Sequence, residues 1–120
     1  MNPKQLAEVV ASALNDKRGV EVKLLDLGDL RSFTDFFVIA GATSDRHART
    51  LADAVVEAAH KVGERALGME GEQVARWILI DLGDVVVHVF QQEAREYYGL
   101  ERLWGEAEAV AWPLAAGELR

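Results

Sequence analysis

Apolar positions recur along this chain in two rhythms, one helical and one extended. Leu6, Val9, Val10, Ala13 and Leu14 repeat at the spacing of a single buried helix stripe. Asn2 can cap that helix and Pro3 suits its first position. Lys17 and Arg18 favour its negative end, and Gly19 can stop it. Val20 to Leu27 is rich in branched residues and predicts a strand, and the polar run Gly28 to Asp35 predicts a loop. Phe36 to Ala40 is continuously apolar, as in a strand buried on both faces. Gly41 ends that strand. Thr43 or Ser44 then caps a long helix whose stripe is Ala48, Leu51, Ala52, Val55, Val56, Ala59 and Val62. Ala66 to Ala75 predicts a loop, with Gly71 supplying a positive φ angle.

Trp77 to Asp81 and Val85 to Phe90 predict a hairpin around a turn at Leu82-Gly83. Strand alternation puts Ile78, Ile80, Val85, Val87 and Val89 on one face, the predicted core. Trp77, Leu79, Asp81, Asp84, Val86, His88 and Phe90 share the other. The stretch from Gln91 to Ala107 predicts short helices interrupted at Gly99, and Glu108 to Arg120 carries no clear pattern. The order is helix, strand, strand, helix, strand, strand, helix. A strand, a long helix and another strand suggest a right-handed crossover between parallel neighbours. The expected fold is α/β, a small mixed β-sheet flanked by helices.

Composition narrows the function classes. The chain has 120 residues, half of them hydrophobic, and no cysteine. That suits one domain with one core and excludes a disulfide scaffold or a cysteine zinc site. The first residues carry Glu8 within their apolar part, unlike a secretory signal peptide. No apolar run is long enough to cross a bilayer, so no membrane role is expected, and without a transit-like segment a bacterial cytoplasmic location is expected. The net charge is −7, with −2 in residues 1–60 and −5 in residues 61–120. Gripping RNA phosphates needs clustered Lys and Arg, and the second half argues against that. An acidic surface suits a basic partner, although acidity also serves solubility alone.

Several stretches together resemble the Iojap family, the ribosomal silencing factors. They are SFTDFFVIAGATSDRHARTLADAV (Ser32 to Val55), MEGE (Met69 to Glu72), WILIDLGDVVVHVF (Trp77 to Phe90) and REYYGLERLW (Arg95 to Trp104). The match runs in register from about Pro3 to Trp104, implying a family domain over 1–104 and an extension of unassigned role over 105–120. The resemblance implies a fold related to nucleotidyltransferases without their catalytic carboxylates. It also implies a non-enzymatic role without cofactors. The implied partner is the fourteenth protein of the large ribosomal subunit, bound so that the small subunit cannot join. The residues expected to carry that contact are Trp77, Asp81, Leu82, His88, Tyr98, Leu100, Leu103 and Trp104. Large aromatics suit the task because they desolvate well at low entropy cost. Five of the nine aromatics lie between positions 77 and 104. For Phe90 and Tyr97 a core role weighs equally. Trp77 shares its face with polar residues and is expected exposed or half-exposed. A minor contact with ribosomal RNA and a homodimer of the free protein complete the expected associations.

The alternative is a metal-dependent nucleotidyltransferase-like enzyme. That chemistry needs two or three carboxylates holding divalent ions. Gly41-Ala42-Thr43-Ser44 makes a small-residue turn at a helix start that can hold an anion. However, no D-x-D pair occurs in the chain, and Asp81 and Asp84 bracket a turn where Asp commonly serves local hydrogen bonding. His47, His60 and His88 lack the spacing of a metal pair. Mid-strand His88 is more often a partly buried, hydrogen-bonded residue than a ligand, and it can also bond a partner. Arg46 and Arg49 open the long helix, where positive charge opposes the dipole. With Arg31 they are candidates for a phosphate contact. Asp35 is expected to cap or brace the loop before Phe36.

Overall fold

The computed structural model describes residues 1–27, 34–92 and 108–110. Helix α1 (Pro3–Asp16) starts at a capping box: Asn2 Oδ1 accepts from the Gln5 backbone N–H at 2.8 Å, and Gln5 Oε1 accepts from the Asn2 N–H at 3.1 Å. These bonds satisfy donors that a helix start leaves unpaired. Its buried residues are Leu6, Ala7, Val10, Ala11 and Leu14. The stripe is therefore rotated from the expected one, with Val9 and Ala13 only half-buried. Ala7 and Ala11, lacking bulk, occupy the innermost line.

The end of α1 also departs from expectation. Gly19 N–H bonds the Leu14 carbonyl at 2.8 Å and Arg18 N–H bonds that of Asn15 at 3.0 Å, a Schellman closure. The left-handed residue in it is Arg18, at φ +66°. Gly19 is needed for space: a Cβ there would lie 3.0 Å from the Leu14 carbonyl oxygen and 3.2 Å from Val22. Helix α2 (Asp45–Lys61) is capped by Ser44, whose Oγ accepts from His47 N–H at 3.0 Å. Its end uses the same closure with Gly63 at φ +83°. His47 ties the two helices together. Its Nδ1 accepts from Thr43 N–H at 3.0 Å, and its Nε2 donates to the Lys17 carbonyl at 2.9 Å.

The strands are β1 (Val20–Asp26), β2 (Phe36–Ala42), β3 (Gly68–Glu70), β4 (Trp77–Asp81), β5 (Val85–Gln91) and β6 (Glu108–Val110). They form one mixed sheet in the order β3-β4-β5-β2-β1-β6. Among the described residues only β2 and β5 pair in parallel, Phe36 opposite Val85 through Ala42 opposite Gln91. The expected crossover exists, but it returns through β5, the second strand of the hairpin, instead of β4. Strand β2 runs past Gly41 to Ala42 and is buried throughout. Strand β3 lies in the stretch expected to be a loop. Strand β6 lies within 105–120, where the sequence shows no pattern, and pairs antiparallel with β1. The α/β class and the small mixed sheet are as expected.

Both helices pack on one face of the sheet. Their stripes meet Val22, Leu24, Val38, Ala40, Ile78, Ile80, Val85, Val87 and Val89 in the main core. The opposite face carries a second apolar layer of Leu25, Leu27, Phe37, Ile39, Val86 and Phe90, with Trp77 and Leu79 packed against it. No described helix is long and apolar enough to cross a membrane.

Replacing Arg18 with Gly removes the left-handed penalty of a side-chain-bearing residue and should stabilise the protein by about 1 kcal/mol. Urea unfolding measures this. A lower midpoint would show that contacts of the Arg18 side chain outweigh its backbone strain.

Candidate functional site

The hairpin β4–β5 places the chemistry of the second face. Trp77 stands opposite Phe90 and Leu79 opposite His88. Alternation sends these four side chains to the face away from the helices, as the sequence pattern predicts. Trp77 is half-buried, and its indole lies tilted over Phe90 at a centroid distance of 4.8 Å. Its Nε1–H donates to His88 Nδ1 at 3.1 Å. The His88 ring meets Phe37 edge-on at 4.5 Å and runs nearly parallel to Phe90 at 6.1 Å.

His88 is 3% exposed, so its side chain is not presented to a partner as expected. Its neighbours on the second face, Leu27, Ile39 and Phe90 among them, are buried as well, so the face is drier than its polar residues suggest. Burial pushes the imidazole pKa from 6.5 down to about 4, because an apolar surrounding disfavours the charged ring. The ring is therefore neutral at physiological pH. Nδ1 accepts from Trp77, so the proton sits on Nε2, which is buried without a partner.

Leu82 is also corrected. It is 5% exposed and belongs to the main core. The turn is centred on Gly83-Asp84, one residue beyond the expected place. Gly83 has φ +90° at the first central position, the glycine site of a type II′ turn. Leu82 N–H bonds the Val85 carbonyl at 2.9 Å. Leu82 thereby joins Ile78 and Ile80 on the helix-covered face. Asp81 is half-buried, and its Oδ1 accepts from Gly83 N–H at 2.8 Å. This is the local turn use weighed for Asp81. The Asp84 carbonyl accepts from the backbone N–H groups of Asp35 and Phe36, at 2.9 and 3.1 Å. Asp35 thus braces the turn through its main chain.

The approach to Trp77 is a turn with Gly71 at positive φ as expected, held tightly by contacts that sequence reasoning missed. Gly71 has φ +87°, and a Cβ on it would fall 2.1 Å from the Trp77 carbonyl oxygen. Ala75, fully buried, is held at φ +64°, a conformation that persists only where neighbours over-determine it. They do. Ala75 N–H bonds the Gly71 carbonyl at 2.8 Å, and Gln91 N–H bonds that of Arg76 at 3.0 Å. Gln91 Nε2 donates to the Ala75 carbonyl at 3.0 Å and also to Asp45 Oδ1. Arg49 Nε donates to the Glu72 carbonyl at 2.8 Å, and its terminal nitrogen donates to that of Gln73. Arg49 is thus committed to the turn, and Arg31, the third member of the expected phosphate set, is outside the described residues. The signal for the clamp was Arg49 itself, a cation where the helix dipole disfavours one. Nothing local in the sequence announces Gln91.

The small-residue turn before α2 is likewise occupied. Gly41 and Ala42 belong to β2, Thr43 N–H is spent on His47, and Ser44 Oγ is the cap. Among the described residues no three His, Asp or Glu side chains converge as a metal site. Tyr98, Leu100, Leu103 and Trp104 lie outside the described residues, as does the Gly99 interruption.

Comparison with known proteins places this geometry in a family. A family model described as ribosomal silencing factor during starvation matches residues 1–118. The ribosomal silencing factor RsfS of Bacillus subtilis is 41% identical over 107 residues, 89% of this chain and 91% of its own. A crystal structure from Chromobacterium violaceum superposes with a TM-score of 0.85 at 34% identity, covering 88% of each chain. A more distant relative is the mouse mitochondrial assembly of ribosomal large subunit protein 1. It is 28% identical over 81% of this chain, which spans 44% of the mouse protein.

Gly71→Ala should destabilise the protein by about 3 kcal/mol, from backbone strain and the clash with the Trp77 carbonyl. A loss under about 1 kcal/mol in urea unfolding would show that the turn yields freely. For His88, the unfolded chain binds the proton with an ordinary pKa and the folded one binds it more weakly. Stability should therefore fall as pH drops from 6.5 to 4. The His88 contribution is roughly 3 kcal/mol. It should appear as the difference between wild type and His88→Phe unfolding across that window, and parallel curves would refute it.

Proposed function

The chain belongs to the ribosomal silencing factor family, and on that premise we propose that it binds the large ribosomal subunit and sterically blocks the small one. The partner we assign is the fourteenth large-subunit protein, as the sequence resemblance implies. The observation that carries this reading is the half-buried Trp77. It is a large aromatic at the rim of a closed layer, on a backbone held by Gly71, Gln91 and Arg49. A rigid aromatic anchor on the same strand face as half-buried Asp81 suits a basic protein surface. The net charge of −7 favours the same kind of partner. The name of the mouse relative, which refers to large-subunit assembly, fits a large-subunit partner too.

Tyr98, Leu100, Leu103 and Trp104 complete the proposed contact on the strength of the resemblance. Blocking needs no catalysis. The molecule measures 32 × 31 × 31 Å, and a body of that size on the intersubunit face leaves no room for a docked small subunit. An interface of roughly 1,200–2,000 Å² would suffice. We place this action in the bacterial cytoplasm, with at most a minor contact to ribosomal RNA. A homodimer of the free protein would show in light scattering over a concentration series.

Sedimentation with purified large subunits tests the reading. Wild type should co-sediment and reduce joining when small subunits are added. Trp77→Ala should remain folded yet bind at least about 30-fold more weakly, the scale of an interface hot spot. Failure of the wild type to bind large subunits of the matching organism would overturn the proposal. Equal binding by the variant would remove Trp77 from it.

A further inference from the structure

His88 is the wrong residue for its surroundings if packing were its only task. Its ring lies among Phe37, Phe90 and Trp77 in the second layer. A phenyl ring would fill that place without desolvating two nitrogens. The histidine instead leaves a buried Nε2–H with no acceptor, which costs stability. It makes one hydrogen bond, accepted at Nδ1 from the Trp77 indole.

That bond settles something stacking cannot. Phe90 holds the plane of the indole at 4.8 Å. Turning the indole over about its second side-chain torsion would keep the ring in much the same plane while exchanging its edges. Only one of the two orientations brings Nε1–H to His88. The acceptor sits on the neighbouring strand, diagonal to Trp77 and two residues from its register partner Phe90, within the reach of aromatic side chains across a sheet. Because the imidazole is buried and neutral, Nδ1 stays an acceptor throughout the physiological pH range. Selecting one orientation before docking removes part of the ordering cost of binding.

We propose that His88 is a positioning residue for partner recognition, fixing the Trp77 indole in its docking orientation at the expense of fold stability. The inference rests on the reading that Trp77 contacts the ribosome. It differs from a structural role in one measurable respect: the effects of removing the imidazole on stability and on binding have opposite signs.

The test uses the full chain as wild type, His88→Phe, His88→Asn and Trp77→Ala. Thermal midpoints are taken at pH 7.5, and large-subunit binding is measured by sedimentation. The Trp77 indole N–H is followed by nitrogen-15 NMR, assigned through its absence in Trp77→Ala. His88→Phe should keep or raise the midpoint, shift the indole resonance, speed its hydrogen exchange and weaken binding about tenfold. His88→Asn places an amide oxygen near the Nδ1 position and should recover part of the affinity and the indole protection. Wild-type affinity in His88→Phe, or weaker binding accompanied by a lower midpoint, would overturn the inference. If wild type binds, Trp77→Ala does not and His88→Phe binds fully, the positioning role alone fails. If wild type does not bind large subunits, the functional reading fails and this inference with it.

Discussion

The parallel pairing of β2 and β5 is the constraint on which the rest of the molecule depends. Parallel neighbours cannot be joined by a tight turn, so the chain between them must leave the sheet and return. Here it leaves as α2, comes back as β3 and β4 at the sheet margin, and reaches β5 through the Gly83-Asp84 turn. Both parallel strands are central, and their apolar faces need cover on two sides. The helices cover one face, and the other carries the buried apolar side chains around Phe37 and Phe90. The pairing also determines what meets at its ends. Phe36 comes opposite Val85, so Asp35 and the hairpin turn share hydrogen bonds at one end. At the other end Ala42 comes opposite Gln91, which lets Gln91 reach both the start of α2 and the turn before Trp77.

Trp77 is thus governed from several directions by elements far apart in the chain. Arg49 of α2 grips the preceding turn, Gln91 of β5 anchors its last residues, and His88 accepts the indole hydrogen bond. Each contact is modest on its own. Together they convert a flexible type of segment, a glycine-containing surface loop, into a firm support. Left-handed Ala75 is stable only under such enclosure.

Much of this was legible in the sequence, and the reasons differ by element. The two-residue period of the hairpin is unaffected by whether the turn is centred on Leu82-Gly83 or Gly83-Asp84, so the facing of Ile78, Ile80, Val85, Val87 and Val89 was readable although the turn was misplaced. The same parity sends Leu82 inward, a consequence hidden by assigning it to the turn. The caps at Asn2 and Ser44 are local chemistry and could be read directly. Three-residue strands such as β3 have too few positions to establish a rhythm. The choice of β5 over β4 as partner of β2 depends on tertiary packing that no local pattern encodes. His88 looked open to a partner because polar neighbours in sequence suggested a wet face. The apolar residues that make that face dry come from β1, β2 and β5 together.

Both margins of the sheet are three-residue strands, β3 on one side and β6 on the other, while the long apolar strands lie inside. An unpaired strand edge is a template on which another chain can continue the ladder, and its hazard grows with its length. Among the described residues each marginal strand offers a newcomer a short rung set, which gives lateral accretion little to build on. Short margins of this kind disfavour fibrillar association at high concentration.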